Sequence, residues 1–590
     1  MAQIAQLSPG VLVTETNLST VVPSVLTTAG AYAGAFNWGP VNKITPVSSE
    51  KILVQVYGEP DNNTASSFWT AASFLAYGNN LNVVRTANSG TYNATSIGNV
   101  PIQVKNQDVF QYSYLPSGSA NTYGPFMARY PGALGNSLTV TMIDAGSNTT
   151  QFQNWQVALT NVSGSNYANV SLAGFFNGLP STSYSASQMG AANDQIHLAV
   201  VDTGGLISGT KGTVLEVFPY LSKAIDSVDQ YGQSNYYKNA IFNGSQYIYA
   251  VDAPGYGSTA STWGKVMANT NFATISGVYT STLAGGTDAT ITNADVTTGM
   301  NLFADVSQAS INLLITGPYT DAAVQTTAIN LAASRKDCVA FVSPPLSAVV
   351  NNSGSEQTSV LSWMSGLSSL TGGPVGSYGF ADSGWKFLFD RYNNTYRWVP
   401  MNGDIAGLCV ATDTNNNPWW SPAGYTRGVI KNVVKLAWNP SQAQRDALYQ
   451  VAVNPVVSFP GSGTLLYGDK TMQTQPSAFD RINVRRLFIV LEQAIAQAAK
   501  YSLFEFNDAF TQAQFVSLVT PYLRQVQGQR GITAFKVVCD STNNTPSVVG
   551  ANQFVGDIYI QPARSINFIQ LNFVAVGTGV SFSTAINTTA

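Results

Sequence analysis

The sequence has little charge. Asp, Glu, Lys and Arg make up only 10% of its 590 residues, and the formal net charge is −3. An average soluble protein carries about 25% charged residues. Because a nucleic-acid interface needs a concentrated basic patch, we exclude nucleic acid as a partner. A polar but weakly charged surface avoids strong self-repulsion and suits a subunit that packs against many copies of itself. A secreted surface-layer or adhesin-type structural protein has the same composition, so both classes stay open.

Residues that carry chemistry are also scarce. The single histidine, His197, excludes most histidine-based catalysis and metal binding. It alternates with apolar neighbours, which predicts a strand residue whose ring is hydrogen-bonded. Residues 463–471 imitate a phosphate-binding loop, but Asp469 lies between the glycine and the lysine, where it would repel a phosphate. We therefore expect a protein that is not an enzyme and has no cofactor or metal. Buried free thiols are expected at the three widely spaced cysteines, Cys338, Cys409 and Cys539.

Long apolar runs are missing as well. No window approaches the length of a membrane span, so direct membrane insertion is not expected. Residues 1–7 lack the basic start and apolar run of a secretory signal. These features favour folding in a reducing cytoplasm, and they argue against the secreted alternative.

The composition and the periodicity of the sequence change several times along the chain. Glycine-punctuated strand-like runs and helical stretches alternate in two long parts of the sequence, whereas short Ser-, Asn- and Thr-rich strands fill the part between. Helical periodicity predicts helices over residues 66–77, 321–334, 441–451, 479–501 and 512–527, the last kinked or stepped at Pro521. Strands are predicted over residues 338–342, 532–539, 557–560 and 566–576.

The most distinctive segment is residues 479–488. Apolar residues recur at helical spacing from Val484 to Ala498 and form one stripe. The first two turns carry three cations where the helix dipole prefers negative side chains, namely Arg481, Arg485 and Arg486. This placement indicates contact with an acidic group outside the helix; a solvated basic face is the alternative.

The string Asp-Arg-Ile-Asn-Val-Arg-Arg-Leu at 480–487 resembles the signature of contractile tail sheath proteins from bacteriophages and related injection systems. Other segments follow the family order along nearly the whole chain. They include Ser8–Val11, Tyr57–Pro60, Ala128–Gly132, Gly285–Asp288, Trp398–Pro400, Trp420–Gly424, Asn543–Pro546 and Ile560–Ala563.

The resemblance and the texture together predict a multidomain α/β fold. It would contain two α/β units, a β-rich inserted outer domain and extended N- and C-terminal arms. The expected parts are an N-terminal arm (1–20), an α/β core sheath domain (21–87 and 241–399), a β-rich outward-facing insertion (88–240), a C-terminal α/β domain facing the tail tube (400–577) and a C-terminal arm (578–590).

The two arms are the expected connectors. Residues 11–16 are strand-like but too isolated to bury a face within the chain, so they must pair elsewhere or fray. The resemblance implies that the arms add strands to sheets of neighbouring subunits, as in β-augmentation. The expected arm residues are Val11, Leu12, Val13, Thr14, Glu15 and Phe582.

The resemblance also implies a function. The subunit would polymerise as stacked hexameric rings around a tail tube, forming a helical sheath that contracts from a metastable extended state for genome ejection. The implied partners are further copies of the chain, the tail tube protein, and the baseplate and tail terminator proteins. The implied location is the virion, after assembly in the host cytoplasm. The cluster of Arg481, Arg485 and Arg486 is the expected tube contact.

Overall fold

The structure is a computed structural model that describes residues 25–98, 100–113, 123–159, 168–254, 262–275, 277–567 and 570. The predicted arms at 1–20 and 578–590, with Val11 to Glu15 and Phe582, lie outside these residues. So does most of the strand predicted over 566–576.

Strands in the described residues are numbered β1 to β22 in chain order. They are β1 Gly30–Gly34, β2 Thr45–Val47, β3 Leu81–Arg85, β4 Phe126–Ala128, β5 Leu138–Asp144, β6 Gln156–Val157, β7 Val170–Ser171, β8 Gln195–Asp202, β9 Thr213–Ser222, β10 Ile248–Ala250, β11 Tyr279–Thr282, β12 Leu313–Ile315, β13 Val339–Val342, β14 Gly379–Asp382, β15 Trp385–Asp390, β16 Thr395–Pro400, β17 Lys435–Leu436, β18 Val453–Asn454, β19 Val456–Phe459, β20 Gly463–Leu466, β21 Ile532–Val538 and β22 Asp557–Pro562.

Helices in the same residues are numbered α1 to α16. They are α1 Glu50–Tyr57, α2 Ala65–Leu75, α3 Gln107–Ser113, α4 Thr149–Gln153, α5 Tyr184–Gln188, α6 Tyr237–Gly244, α7 Asn293–Asn301, α8 Ala322–Arg335, α9 Leu346–Val349, α10 Glu356–Gly366, α11 Ser368–Thr371, α12 Asn402–Asn415, α13 Gln442–Gln450, α14 Ile482–Ala499, α15 Ala509–Gly528 and α16 Pro546–Gly550. The helices predicted from periodicity correspond to α2, α8, α13, α14 and α15, and α15 is one helix that includes Pro521.

The chain divides into two compact units. Among the described residues, the smaller unit comprises 419–421 and the residues from 494 onward, and the larger unit comprises 25–418 and 422–493. The division falls inside α14, between Gln493 and Ala494.

A seven-stranded sheet forms the centre of the larger unit. Its order is β18-β14-β13-β12-β1-β3-β2, and every neighbouring pair is parallel except β2 with β3. β12 and β13 read Leu-Leu-Ile and Val-Ala-Phe-Val, and every residue in them is buried. Such uninterrupted apolar strands are typical of a parallel sheet that is covered on both faces. The fold class expected from sequence, mixed α/β, is confirmed.

Close helix packing completes this core. A Cβ at Gly403 of α12 would lie 2.5 Å from the carbonyl oxygen of Thr70 in α2. A Cβ at Gly407 would lie 2.4 Å from the Tyr77 ring. The two glycines therefore allow α12 to approach α2 more closely than any larger residue would.

A buried polar network lies where the parallel strands end. The Ser343 hydroxyl donates to Asp382 Oδ2 at 2.6 Å and accepts from Asn402 Nδ2 at 3.0 Å. Asn402 also exchanges two hydrogen bonds with the backbone of Gly317. Burial raises the pKa of the Asp382 carboxyl to about 8. Open α/β sheets commonly bind ligands at this edge, but in this chain Asn402, the first residue of α12, occupies that position.

The β-rich region is built on a four-stranded antiparallel sheet of order β11-β5-β8-β9. All seven residues of β5 are buried. One face packs against Tyr237, Ile248 and neighbouring apolar residues, and the other packs against Trp155 and Phe176. This sheet is therefore covered on both sides within the larger unit.

The predicted domain boundaries at 240 and 400 differ from the observed packing. β10 and β11, after residue 240, pair with β4 and β5 of the β-rich region, and the α/β core resumes only with α7. After residue 400, α12 packs in the main core, and β18 pairs in parallel with β14 of the central sheet. The insertion is therefore longer than predicted, and residues 400–418 and 422–493 belong to the larger unit.

Candidate assembly surface and signature helix

Arg486 of α14 is bound inside the larger unit. Its guanidinium donates to both carboxylate oxygens of Asp413 on α12, at 2.8 and 2.5 Å. The two side chains are 5% and 2% exposed. Burial alone would lower the pKa of Arg486, but the charge of Asp413, the nearby Cys409 and the hydrogen bonds to Asp413 together raise it. A third contact reaches the backbone oxygen of Thr27 at 3.4 Å, close to the first residues that the structure describes.

Arg485 is also buried but has no carboxylate among its hydrogen-bond partners here. It donates to Ser377 Oγ at 2.7 Å and to the Tyr378 hydroxyl at 3.2 Å. Its guanidinium lies over the rings of Tyr378 and Phe479, at 4.1 and 3.9 Å from their centroids. Burial lowers the pKa of Arg485. Its charge is therefore stabilised by aromatic faces and hydroxyls of the same unit.

Arg481 lies nearer the surface. Its side chain is 19% exposed, donates to the Tyr449 hydroxyl at 3.0 Å and lies 3.8 Å from Asp469 Oδ1. Asp469 comes from the segment that imitates a phosphate-binding loop. Lys470 of the same segment donates to the backbone oxygen of Tyr449 at 2.6 Å, so this segment is a structural support of the helix start.

These contacts change the interpretation of the three arginines at the start of α14. The acidic partner expected outside the helix exists for Arg486, and it is Asp413 of the same chain. Arg485 and Arg486 are both buried and have internal partners, so their geometry does not support a direct tube contact. The sequence could not identify Asp413, which lies 73 positions away. A contact between Arg481 and the tube stays a prediction.

The smaller unit carries a different candidate surface, an isolated two-stranded sheet. β21 and β22 pair antiparallel, from Val538 opposite Asp557 to Ile532 opposite Pro562, with a bulge near Ile532. Among the described residues no further strand pairs with either outer edge. A two-stranded sheet is marginal alone, and its unpaired edges are templates for another strand.

Helix α15 supports this sheet on one side. Phe515, Val519, Leu523 and Val526 form a buried stripe along α15, and Ile532 of β21 is buried with them. Ala534, Lys536 and Tyr559 are exposed. The sheet therefore has a side that packs against α15 and a side that faces solvent. Within the described part of the chain neither outer edge has a partner strand, so both can accept strands through backbone hydrogen bonds.

Reactive chemistry is not assembled in the described residues. The His197 ring in β8 donates from Nε2 to the Gly178 oxygen at 2.8 Å and accepts from the Tyr220 N–H at Nδ1. This confirms the predicted strand residue with a hydrogen-bonded ring, and burial lowers the pKa of His197. The three cysteines are buried free thiols, as predicted. In the described ranges no group of three or more His, Cys, Asp or Glu residues could hold a metal ion.

No helix in the part of the chain that the structure describes is long and apolar enough to cross a bilayer.

Comparison with known proteins identifies the family. A family model described as the phage tail sheath protein central domain matches residues 289–472, and one described as the phage tail sheath C-terminal domain matches 474–575. The tail sheath protein of Vibrio phage KVP40 is 34% identical over 98% of this chain and 99% of its own length. The chain belongs to the phage tail sheath family.

Two further comparisons agree with this. The tail sheath protein of Enterobacteria phage T4 is 33% identical, over 98% of both chains. A sheath tail protein from Listeria innocua shares the fold at a TM-score of 0.53 and 12% identity, over 92% of this chain and 93% of its own. This sheath protein is thus a structural component of a contractile tail, and the surface-layer or adhesin alternative is not favoured. The two family models meet near residue 473, not at the predicted boundary of 400.

Proposed function

We propose that this chain polymerises as stacked hexameric rings around a tail tube. The sheath contracts from a metastable extended state and drives the tube through the host envelope. Family membership supports the proposal, and the observation that carries it is the pair of open edges on the β21–β22 sheet. Head-to-tail contacts between identical subunits generate rings and open helical assemblies.

The connectors in this proposal are the two arms. Residues 1–20 of one subunit, through Val11 to Glu15, and residues 578–590 of another, through Phe582, add strands to the open edges of a neighbour's sheet. Backbone hydrogen bonds give the connection, and the side chains on alternate positions give the register. The predicted C-terminal domain acts here through the smaller unit.

Contraction uses the larger unit as a rigid body. Its α/β part has one continuous hydrophobic core, which favours movement as a single body, and the arms serve as hinges. If each subunit buries about 200 Å² more apolar surface on contraction, about 5 kcal/mol is released per subunit at roughly 25 cal/mol per Å². Summed over a tail, this drives the tube without nucleotide hydrolysis.

The remaining partners follow from the same proposal. The predicted C-terminal domain, residues 400–577, faces the tail tube, and Arg481 is the one member of the arginine cluster that we retain as a candidate contact. The first and last rings meet the baseplate and tail terminator proteins. The subunit assembles in the host cytoplasm and is carried in the virion.

Deletion of each arm tests the proposal. We expect chains lacking residues 1–20, and separately chains lacking 578–590, to remain folded but to lose polymerisation in sedimentation and negative-stain electron microscopy. The matched control is Tyr231→Ser, which changes an 80% exposed side chain in the β-rich region. An arm whose deletion leaves polymers like those of the intact chain is not a connector.

A further inference from the structure

An exposed aromatic turn joins α14 to α15. Five large apolar side chains fall within ten residues, and each is more than half exposed. They are Tyr501 (73%), Leu503 (62%), Phe504 (105%), Phe506 (85%) and Phe510 (76%). No helix or strand was predicted over residues 502–511, and the exposure of these side chains was not expected. We call residues 501–510, which run from the end of α14 into the first turn of α15, the aromatic turn.

The aromatic turn is held in place although its side chains face solvent. Asn507 donates to the backbone oxygen of Gln553 at 2.7 Å and accepts from Gln512 at 2.9 Å. Asp508 caps α15 by accepting from the Thr511 N–H. Phe504 has φ of 71°, a left-handed conformation that is unfavourable for a bulky side chain. The backbone therefore presents the aromatic rings outward at a conformational cost.

The exposed area is too large for an ordinary monomer surface. At roughly 150 Å² for each side chain, five of them offer about 750 Å². The largest apolar patch of a typical monomer is about 300–600 Å², and one half of a standard protein interface is about 800 Å². The aromatic turn thus supplies nearly the whole of one side of a stable interface.

We propose that the aromatic turn docks onto a second copy of this chain. The inference rests on the proposed polymer, in which copies lie side by side at high local concentration. The turn contains Glu505 and Asp508 and follows Lys500, so its charge does not suit nucleic acid or an anionic membrane. Because only 10% of the residues are charged, much of the surface of a second copy is uncharged and suits contact with apolar side chains. The contact is separate from the strand pairing of the arms.

Cross-linking tests the identity of the occupant. Full-length chain carrying p-benzoyl-phenylalanine in place of Phe506 is mixed with ¹⁵N-labelled chain, polymerised with tube protein present, and irradiated. We expect cross-linked peptide pairs that join labelled and unlabelled copies of this chain. Cross-links only to the tube protein, or polymers without any cross-link between copies, would overturn the proposal and leave the sheath function intact. A chain that forms no polymer at all would contradict the sheath function.

Substitution gives an independent measurement. Phe504→Gly suits the left-handed backbone and, with Phe506→Ser, removes much of the patch. We expect the concentration needed for polymerisation to rise at least about tenfold, as for the loss of central interface aromatics, with an unchanged melting temperature. Tyr231→Ser, equally exposed elsewhere, should leave that concentration unchanged. An unchanged value for the double variant would overturn the proposal.

Discussion

Replacing Arg486 with Met should destabilise the larger unit by about 3–5 kcal/mol. The reason is that Arg486 and Asp413 are 5% and 2% exposed and joined by two hydrogen bonds of 2.8 and 2.5 Å. Removing the guanidinium leaves the Asp413 carboxylate buried without its cation. That penalty exceeds the net value of the pair itself, because forming the pair already required both charges to leave water.

A double-mutant cycle measures this effect. Arg486→Met, Asp413→Leu and the double variant are compared by urea unfolding followed through tryptophan fluorescence. The double variant should be more stable than the sum of the single losses implies, by about 1–3 kcal/mol. Arg481→Met, at the residue immediately before α14, is the control, since the carboxylate neighbour of Arg481 is 3.8 Å away. Its cost should stay below about 1 kcal/mol.

The reasoning would be refuted by a loss below about 1 kcal/mol for Arg486→Met with additive single variants. Such a result would mean that the pair is solvated in the folded chain. Arg486 would then be available to an outside partner after all. The prediction that Arg486 contacts the tail tube would then stand again.

Three further predictions concern the core and the β-rich region. The pKa of Asp382 is about 8 in the folded chain and about 4 in the unfolded chain. Its contribution to stability is therefore full below about pH 4 and is lost as the pH rises through 8. Asp382→Asn should flatten the fall in melting temperature toward alkaline pH. Folding lowers the pKa of His197, so acidification below about pH 6.5 destabilises the β-rich region. His197→Gln should remove this loss of stability, measured as the hydrogen-exchange protection of the β-rich region across a pH series. Gly403→Ala should cost about 1–3 kcal/mol by overpacking, whereas Gly366→Ala, with no atom within 4 Å of the added Cβ, should be neutral or stabilising in thermal unfolding.

Local periodicity predicted the long elements well. Helix α8 was expected over 321–334 and spans Ala322–Arg335, and β21 was expected over 532–539 and spans Ile532–Val538. In both, the residue pattern continues far enough to identify the type of element, and in α8 it also identifies the buried face. The signature string in α14 also carried the family resemblance, which the comparisons confirm.

The domain boundaries were not readable in the same way. β11 pairs with β5, about 140 positions earlier, and β18 adds only two residues to the central sheet. Such pairings depend on contacts distant in sequence, and a two-residue strand has no period of its own. Residues after 240 and after 400 were therefore assigned to the wrong neighbours.

The candidate surfaces escaped prediction for related reasons. A cation at a helix start looks the same in sequence whether it meets a partner protein or a carboxylate such as Asp413 of its own chain. The open edges of β21 and β22 are visible only once the remaining described strands have found their partners. The aromatic turn could have been noticed as a run of apolar residues between two helices, but its exposure is a property of the fold.

Electron microscopy of the purified chain, alone and with tube protein across a concentration series, tests the central claim most directly. The account predicts striated hollow tubes built from stacked rings of this chain. Flat two-dimensional lattices, or monomers that persist even with tube protein present, would contradict it.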